Sequence, residues 1–141
     1  MDRSGLVEYV RAHADGVLST LGPDGSPQAA YLAITATDQA ELVLDARAVS
    51  RKVANLRADP RVAVVVGGRD GTTLQCEGVA DVPSGADRER CAAAYLLAFP
   101  QFEASLTDPA IVVVRVRLTW ARFGDYRSAN AEVSEVALTG R

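Results

Sequence analysis

Histidine, lysine and tryptophan each occur once in this 141-residue chain, and cysteine twice. His13 and two cysteines, Cys76 and Cys91, set fifteen positions apart, match no common zinc-site spacing. The cysteines read as buried or half-buried free thiols of a reducing compartment. No apolar run approaches the ~18 residues of a membrane-spanning helix. The opening Met1-Asp2-Arg3-Ser4 lacks the apolar core of a signal peptide. A cytoplasmic protein without a membrane partner is expected. The net charge of −3 argues against non-specific nucleic-acid binding over the whole surface.

Apolar residues make up 48% and charged residues 23%, as in an ordinary globular domain. A single domain of this size buries about 70% of its unfolded surface. Against the acidic background, residues 45–61 carry five basic and two acidic side chains. Within that stretch Ser50 is a helix N-cap candidate, Pro60 marks the stop, and Val53 and Leu56 can face a core. Arg51 and Lys52 then fall in the first turn, where the macrodipole disfavours cations. Lys52 is the one lysine beside fourteen arginines. Two readings are open: an anion such as phosphate bridges the cations and the free N–H groups, or the helix end is basic and solvated.

Along the chain, Leu6, Val10 and Ala14 recur every four residues and predict a helix over residues 2–14, with His13 on the surface near its end. Strands are expected at 16–21 and 28–35, joined by the turn Gly22-Pro23-Asp24-Gly25-Ser26-Pro27, and at 41–45. The apolar run 61–67 reads as a strand covered on both faces. Residues 72–82 follow as a long strand, with a bulge or bend at Gly78. Ser84 and Asp87 resemble a capping box for a helix running to Phe99. Residues 101–109 read as irregular. In the last strand, 111–123, strict alternation puts Trp120 and Arg122 on the apolar face. There Arg122 would want an anion and Trp120 would offer a ring; alternatively the strand bends and Arg122 reaches solvent. Residues 128–141 read as a weakly patterned, disordered tail. Six strands in mostly hairpin order, with short flanking helices, imply a mainly-β, six-stranded antiparallel barrel that dimerises through uncovered apolar surface.

Gly16-Val-Leu-Ser-Thr-Leu21, Pro23-Asp-Gly-Ser-Pro27, and Ser50-Arg-Lys-Val-Ala-Asn-Leu-Arg-Ala-Asp-Pro60 with the strand after it resemble the pyridoxamine 5′-phosphate oxidase-like family. Gln75-Cys-Glu-Gly-Val-Ala-Asp81 and Trp120-Ala-Arg-Phe-Gly-Asp-Tyr126 extend the match, in the same order. The resemblance implies a flavin-binding split barrel over residues 1–127. It also implies a homodimer with FMN, or in some branches the deazaflavin F420, in clefts between subunits. By the same resemblance Arg51 and Lys52 hold the FMN phosphate, with Ser50 nearby. Ala30-Tyr31 and Leu44-Asp45 lie along the ribityl chain and ring. Gln75 and Trp120 reach in from the partner subunit, and Arg122 pairs with phosphate or substrate. The vitamin-forming oxidases are longer and end in an Arg-x-His-type substrate segment, which has no counterpart here after Trp120. The residues therefore name no substrate and offer no general acid or base. The readings are an FMN-dependent oxidoreductase, an F420-dependent reductase, a flavin- or haem-binding protein without turnover, or a barrel without ligand.

Overall fold

The computed structural model describes residues 1–139. Its helices are α1 (Arg3–His13), α2 (Arg51–Ala58) and α3 (Gly85–Ala98), followed by a 3-10 turn over Pro100–Leu106. Its strands are β1 (Asp15–Leu21), β2 (Pro27–Ala33), β3 (Thr35–Ala36), β4 (Leu42–Arg47), β5 (Arg61–Gly67), β6 (Thr72–Asp81), β7 (Ile111–Asp125) and β8 (Glu132–Glu135). They build one antiparallel sheet in the order β2-β1-β5-β6-β7-β4-β3, with β8 on β7. The sheet curls around a core containing Leu18, Leu44, Val64, Val66, Leu74 and Val114. This is a mainly-β split barrel with short flanking helices. No described helix is long and apolar enough to cross a membrane.

All six expected strands are present, and two short ones join them. The chain breaks at Ile34, whose amide donates to the Ala14 carbonyl at 3.0 Å, and Thr35–Ala36 resume pairing as β3. The tail is ordered through residue 139: β8 pairs with Arg122–Asp125, Val136 is buried, and Ala137 bridges to Asp2. Gly140 and Arg141 lie outside the described residues. β8 escapes sequence reading because Glu132-Val-Ser-Glu135 is exposed throughout and carries no apolar period. What it supplies is backbone partners for the half of β7 that β4 does not reach. Of residues 101–109, expected to be irregular, those through Leu106 belong to the 3-10 turn that begins at Pro100. Ser84 makes no capping bond, and the Asp87 carboxylate accepts from Arg90, so the expected capping box does not form. His13 is half-buried rather than a free surface group: it stacks on Tyr9, and its ring nitrogens meet the Tyr9 carbonyl at 2.8 Å and Asp70 at 2.9 Å.

The bulge expected at Gly78 is real, and it decides which way β7 faces. Glu77 opposes Trp120 while Gly78 opposes Leu118, so Thr119 is an extra residue on β7. A Cβ at Gly78 would lie 2.5 Å from the Arg117 carbonyl oxygen, so glycine is required there. One inserted residue reverses every later side chain. Before it Val114, Val116 and Leu118 point to the core; after it Ala121 and Phe123 do. Trp120 and Arg122 are thereby on the outer face, which corrects the strict alternation read from the sequence.

Val43 and Val113 lie in register-adjacent strands beneath α3, packed against Cys91, Tyr95 and Phe99 in a second, smaller core. A charged cage holds this layer to the sheet. Glu41, only 6% exposed, accepts from Thr37 Oγ1 at 2.8 Å, from Arg115 at 3.2 Å and from Arg90 of α3. Arg115 also grips Asp81 through two bonds, of 3.0 and 2.7 Å. Burial alone would raise the Glu41 pKa, but Arg90, Thr37 and Arg115 outweigh it and hold it below the ordinary 4.5. A depressed folded-state pKa stabilises above the unfolded value and is lost as pH falls through the folded one. Glu41→Gln is expected to cost about 3 kcal/mol at pH 7, because it takes the most buried carboxylate out of the cage and leaves Arg115 to Asp81 and Arg90 to Asp87. Urea denaturation checks this, and the gap to wild type should narrow below pH 4.5.

Candidate functional site

Eight residues make α2, and only Val53, Asn55 and Leu56 bury themselves against the barrel. Its first turn contains no acidic residue. Arg51 and Lys52 have no carboxylate within ion-pair reach among the described residues. Both side chains line a cleft of about 180 Å³ whose other walls are Leu18 and Thr20 of β1 and Gln28, Ala29 and Ala30 of β2. Ser50 occupies the N-cap position with extended backbone, yet its hydroxyl makes no capping bond, which corrects the expected side-chain cap. Its Oγ is buried and has no hydrogen-bond partner among the described residues. An unsatisfied buried polar group costs about 1–3 kcal/mol. The helix start thus collects a positive dipole end, two cations and an orphan hydroxyl, with no anion among the described residues to balance them.

The residues expected around a cofactor separate into three groups. Ala30, Arg51 and Lys52 meet in the cleft, with Ser50 at its helix end. Tyr31, the next residue on β2, faces the other way: it is 64% exposed, and its hydroxyl donates to Asp15. Leu44 is fully buried in the barrel core, so only its backbone can face a ligand. Asp45, on the opposite side of β4, sits beneath α3. There burial first, and then the Asp45 charge and a hydrogen bond to Asp45, push the Tyr95 phenol pKa well above its ordinary 10.0. These placements follow from the period of two along β2 and β4, which sends neighbours to opposite faces.

Gln75, Trp120 and Arg122 form the third group, on the outer face of β6 and β7. Gln75 is in register with Arg122, and Arg122 Nη2 donates to Gln75 Oε1 at 3.3 Å. The Arg122 guanidinium lies 5.7 Å from the centre of the Trp120 ring. Trp120 Nε1 donates to Glu135 of β8 at 3.1 Å. The same outer face carries Val17 of β1, Val65 of β5 and Tyr31, which are exposed; Val65 is 42% exposed. β5 is therefore covered on one face only, contrary to the reading of its apolar run.

Sequence reasoning passed over Thr20 and Gln28 in the cleft, Asn55 bonded to both of them, and Glu135 beside Trp120. Asn55 carried a signal: it lies three and four residues after Lys52 and Arg51, on the same helix face. The cysteines are free and buried, and burial pushes the Cys76 thiol up to about 12. Among the described residues no group of acidic, histidine or cysteine side chains could hold a metal.

The sequence matches the pyridoxamine 5′-phosphate oxidase family over residues 5–124, and the chain belongs to that family. No protein of curated function matches the sequence. The fold is shared with a haem-binding protein of Mycobacterium smegmatis: 20% identity, TM-score 0.79, 96% of this chain and 58% of that one. The chain thus spans little more than half the length of that protein. A conserved hypothetical protein of Mycobacterium tuberculosis is 27% identical with TM-score 0.74, over 90% of this chain and 86% of that one. An F420 reductase is 26% identical with TM-score 0.61, over 81% of this chain and 93% of that one.

Trp120 is the sole tryptophan, so its fluorescence reports on the outer face directly. Glu135→Ala is expected to shift its emission to longer wavelength, because the indole N–H passes from the carboxylate to water. An unchanged maximum, with the circular dichroism of the native chain, would mean that β8 does not hold Trp120.

Proposed function

We propose that this chain binds FMN with the phosphate at the start of α2, and that it works as a homodimeric flavin-dependent oxidoreductase on a small molecule. One observation carries the reading: Arg51 and Lys52, unpaired with any described carboxylate, flank a buried hydroxyl without a partner at a helix N-terminus over a cleft. That donor set fits a phosphate monoester, whose charge it would neutralise and whose oxygens would accept from Ser50 and the free N–H groups. Bound flavin supplies hydride transfer, while the protein supplies orientation and electrostatics. Ala30 leaves the cleft wall low beside the cations. Gln75, Trp120 and Arg122, on a different face, would complete the site from a second copy.

The dimer reading rests on the outer sheet face. Val17, Val65 and Tyr31 lie side by side there, cross-strand neighbours without a covering layer. A haem reading has less support, since both ring nitrogens of His13 are engaged within the protein. F420 is the stronger alternative. Arg47 and Arg57 are exposed and near the cleft cations in sequence, so they would be available to an anionic tail, and the F420 reductase is among the similar structures.

The test is the visible spectrum of the purified protein, followed by titration with FMN, F420 and haem. Saturable FMN binding supports the proposal; binding of F420 alone moves it to the deazaflavin, and binding of none of them overturns it. Arg51→Ala with Lys52→Ala removes charge-assisted hydrogen bonds of about 1.5–3 kcal/mol each, so FMN affinity should fall roughly 10²-fold or more. Equal affinity in the double variant would show that the phosphate lies elsewhere. Val65→Glu, which puts charge into the outer apolar row, should give a monomer by analytical ultracentrifugation and lose FMN binding with it.

A further inference from the structure

Asn55 is 5% exposed, a buried polar residue on a helix that has only two apolar anchors. Its side-chain Nδ2 donates to Thr20 Oγ1 at 3.0 Å and to Gln28 Oε1 at 2.9 Å. Thr20 and Gln28 are a cross-strand pair of β1 and β2, and both line the cleft. One amide group therefore pins α2 to two strands at a single rung. Val53 and Leu56 alone would let so short a helix slide or roll, because apolar contacts are not directional. Hydrogen bonds are directional and fix its angle. Arg51 and Lys52 lie one turn before Asn55 on the same helix face, so the height of both cations above the cleft floor follows from this clamp.

We infer that Asn55 is a positioning residue for the phosphate end of the ligand, acting through the placement of Arg51 and Lys52. This rests on the phosphate site proposed above. Asn55→Leu keeps the volume and removes both bonds; Asn55→Ala is the second variant should the leucine disturb folding. The comparison is FMN against riboflavin, which is the same ring system without the phosphate. Wild type is expected to prefer FMN. Asn55→Leu should shrink that preference about tenfold while riboflavin affinity stays within a factor of two. In the Arg51→Ala, Lys52→Ala background the further change at Asn55 should add nothing to the loss, the non-additivity expected of residues acting as one unit.

A variant that weakens FMN and riboflavin equally would make Asn55 a purely structural residue and overturn the inference. So would an unchanged ratio of the two affinities. Both results leave the phosphate site itself standing. A wild-type protein that binds FMN no better than riboflavin instead removes the phosphate site, and this inference with it.

Discussion

The pairing of β6 with β7, interrupted by one bulge, is the constraint on which the rest of this protein depends. Ten residues of β6 face the long β7, and the insertion of Thr119 divides the ladder into two phases. In the first phase β7 presents Val114 and Val116 to the core and Arg115 to the helical layer. In the second it presents Ala121 and Phe123 to the core and Trp120 and Arg122 to the outside. Without the bulge, a bulky indole and a guanidinium would point into a packed apolar interior, at a cost far above that of one unpaired strand residue. Gly78 permits the bulge because nothing larger fits against the Arg117 carbonyl.

The two charged features of the molecule are handled in opposite ways. Around Glu41 every charge has its opposite: Glu41, Asp81 and Asp87 face Arg90, Arg115 and Arg117, and the cage binds α3 to the sheet. At the start of α2 nothing is neutralised. Arg51, Lys52 and the Ser50 hydroxyl stand together without a described protein acceptor, although the chain as a whole carries an excess of carboxylates. This contrast supports the proposal of an external anion at the start of α2, where Arg51 is exposed, Lys52 is half-buried and neither has a described carboxylate partner.

The charged cage and the proposed site also lie in different parts of the fold. The cage and the second core of Val43, Tyr95 and Phe99 lie on the α3 side of β4 and β7. The cleft lies across the sheet, between α2 and the β1–β2 hairpin. In sequence α2 leaves β4, on the cage side, and enters β5. A short helix in that place is held loosely by its apolar residues, so the hydrogen bonds of Asn55 set its pose. The outer face with Gln75, Trp120 and Arg122 forms a further surface, whose exposed valines are part of the apolar area that one copy leaves uncovered.

Local pattern alone determined the six principal strands, the three helices, the β1–β2 turn and the basic helix start. Each is a matter of period, capping residue or turn chemistry within about ten neighbours. The family's order of motifs was legible for the same reason. What pattern could not contain was any pairing between distant segments. β8 exists because β7 has a half-empty edge, a fact about residues 122–125 rather than about 132–135. The facing of Trp120 and Arg122 depended on a bulge whose extra residue sits on the partner of the strand where Gly78 hinted at it. The clamp of Asn55 on Thr20 and Gln28 joins residues 35 and 27 positions apart. Sequence determined which side chains this protein has to offer an anion; the tertiary structure decided which of them share a cleft, because strand pairing and helix docking alone bring distant residues within hydrogen-bond reach.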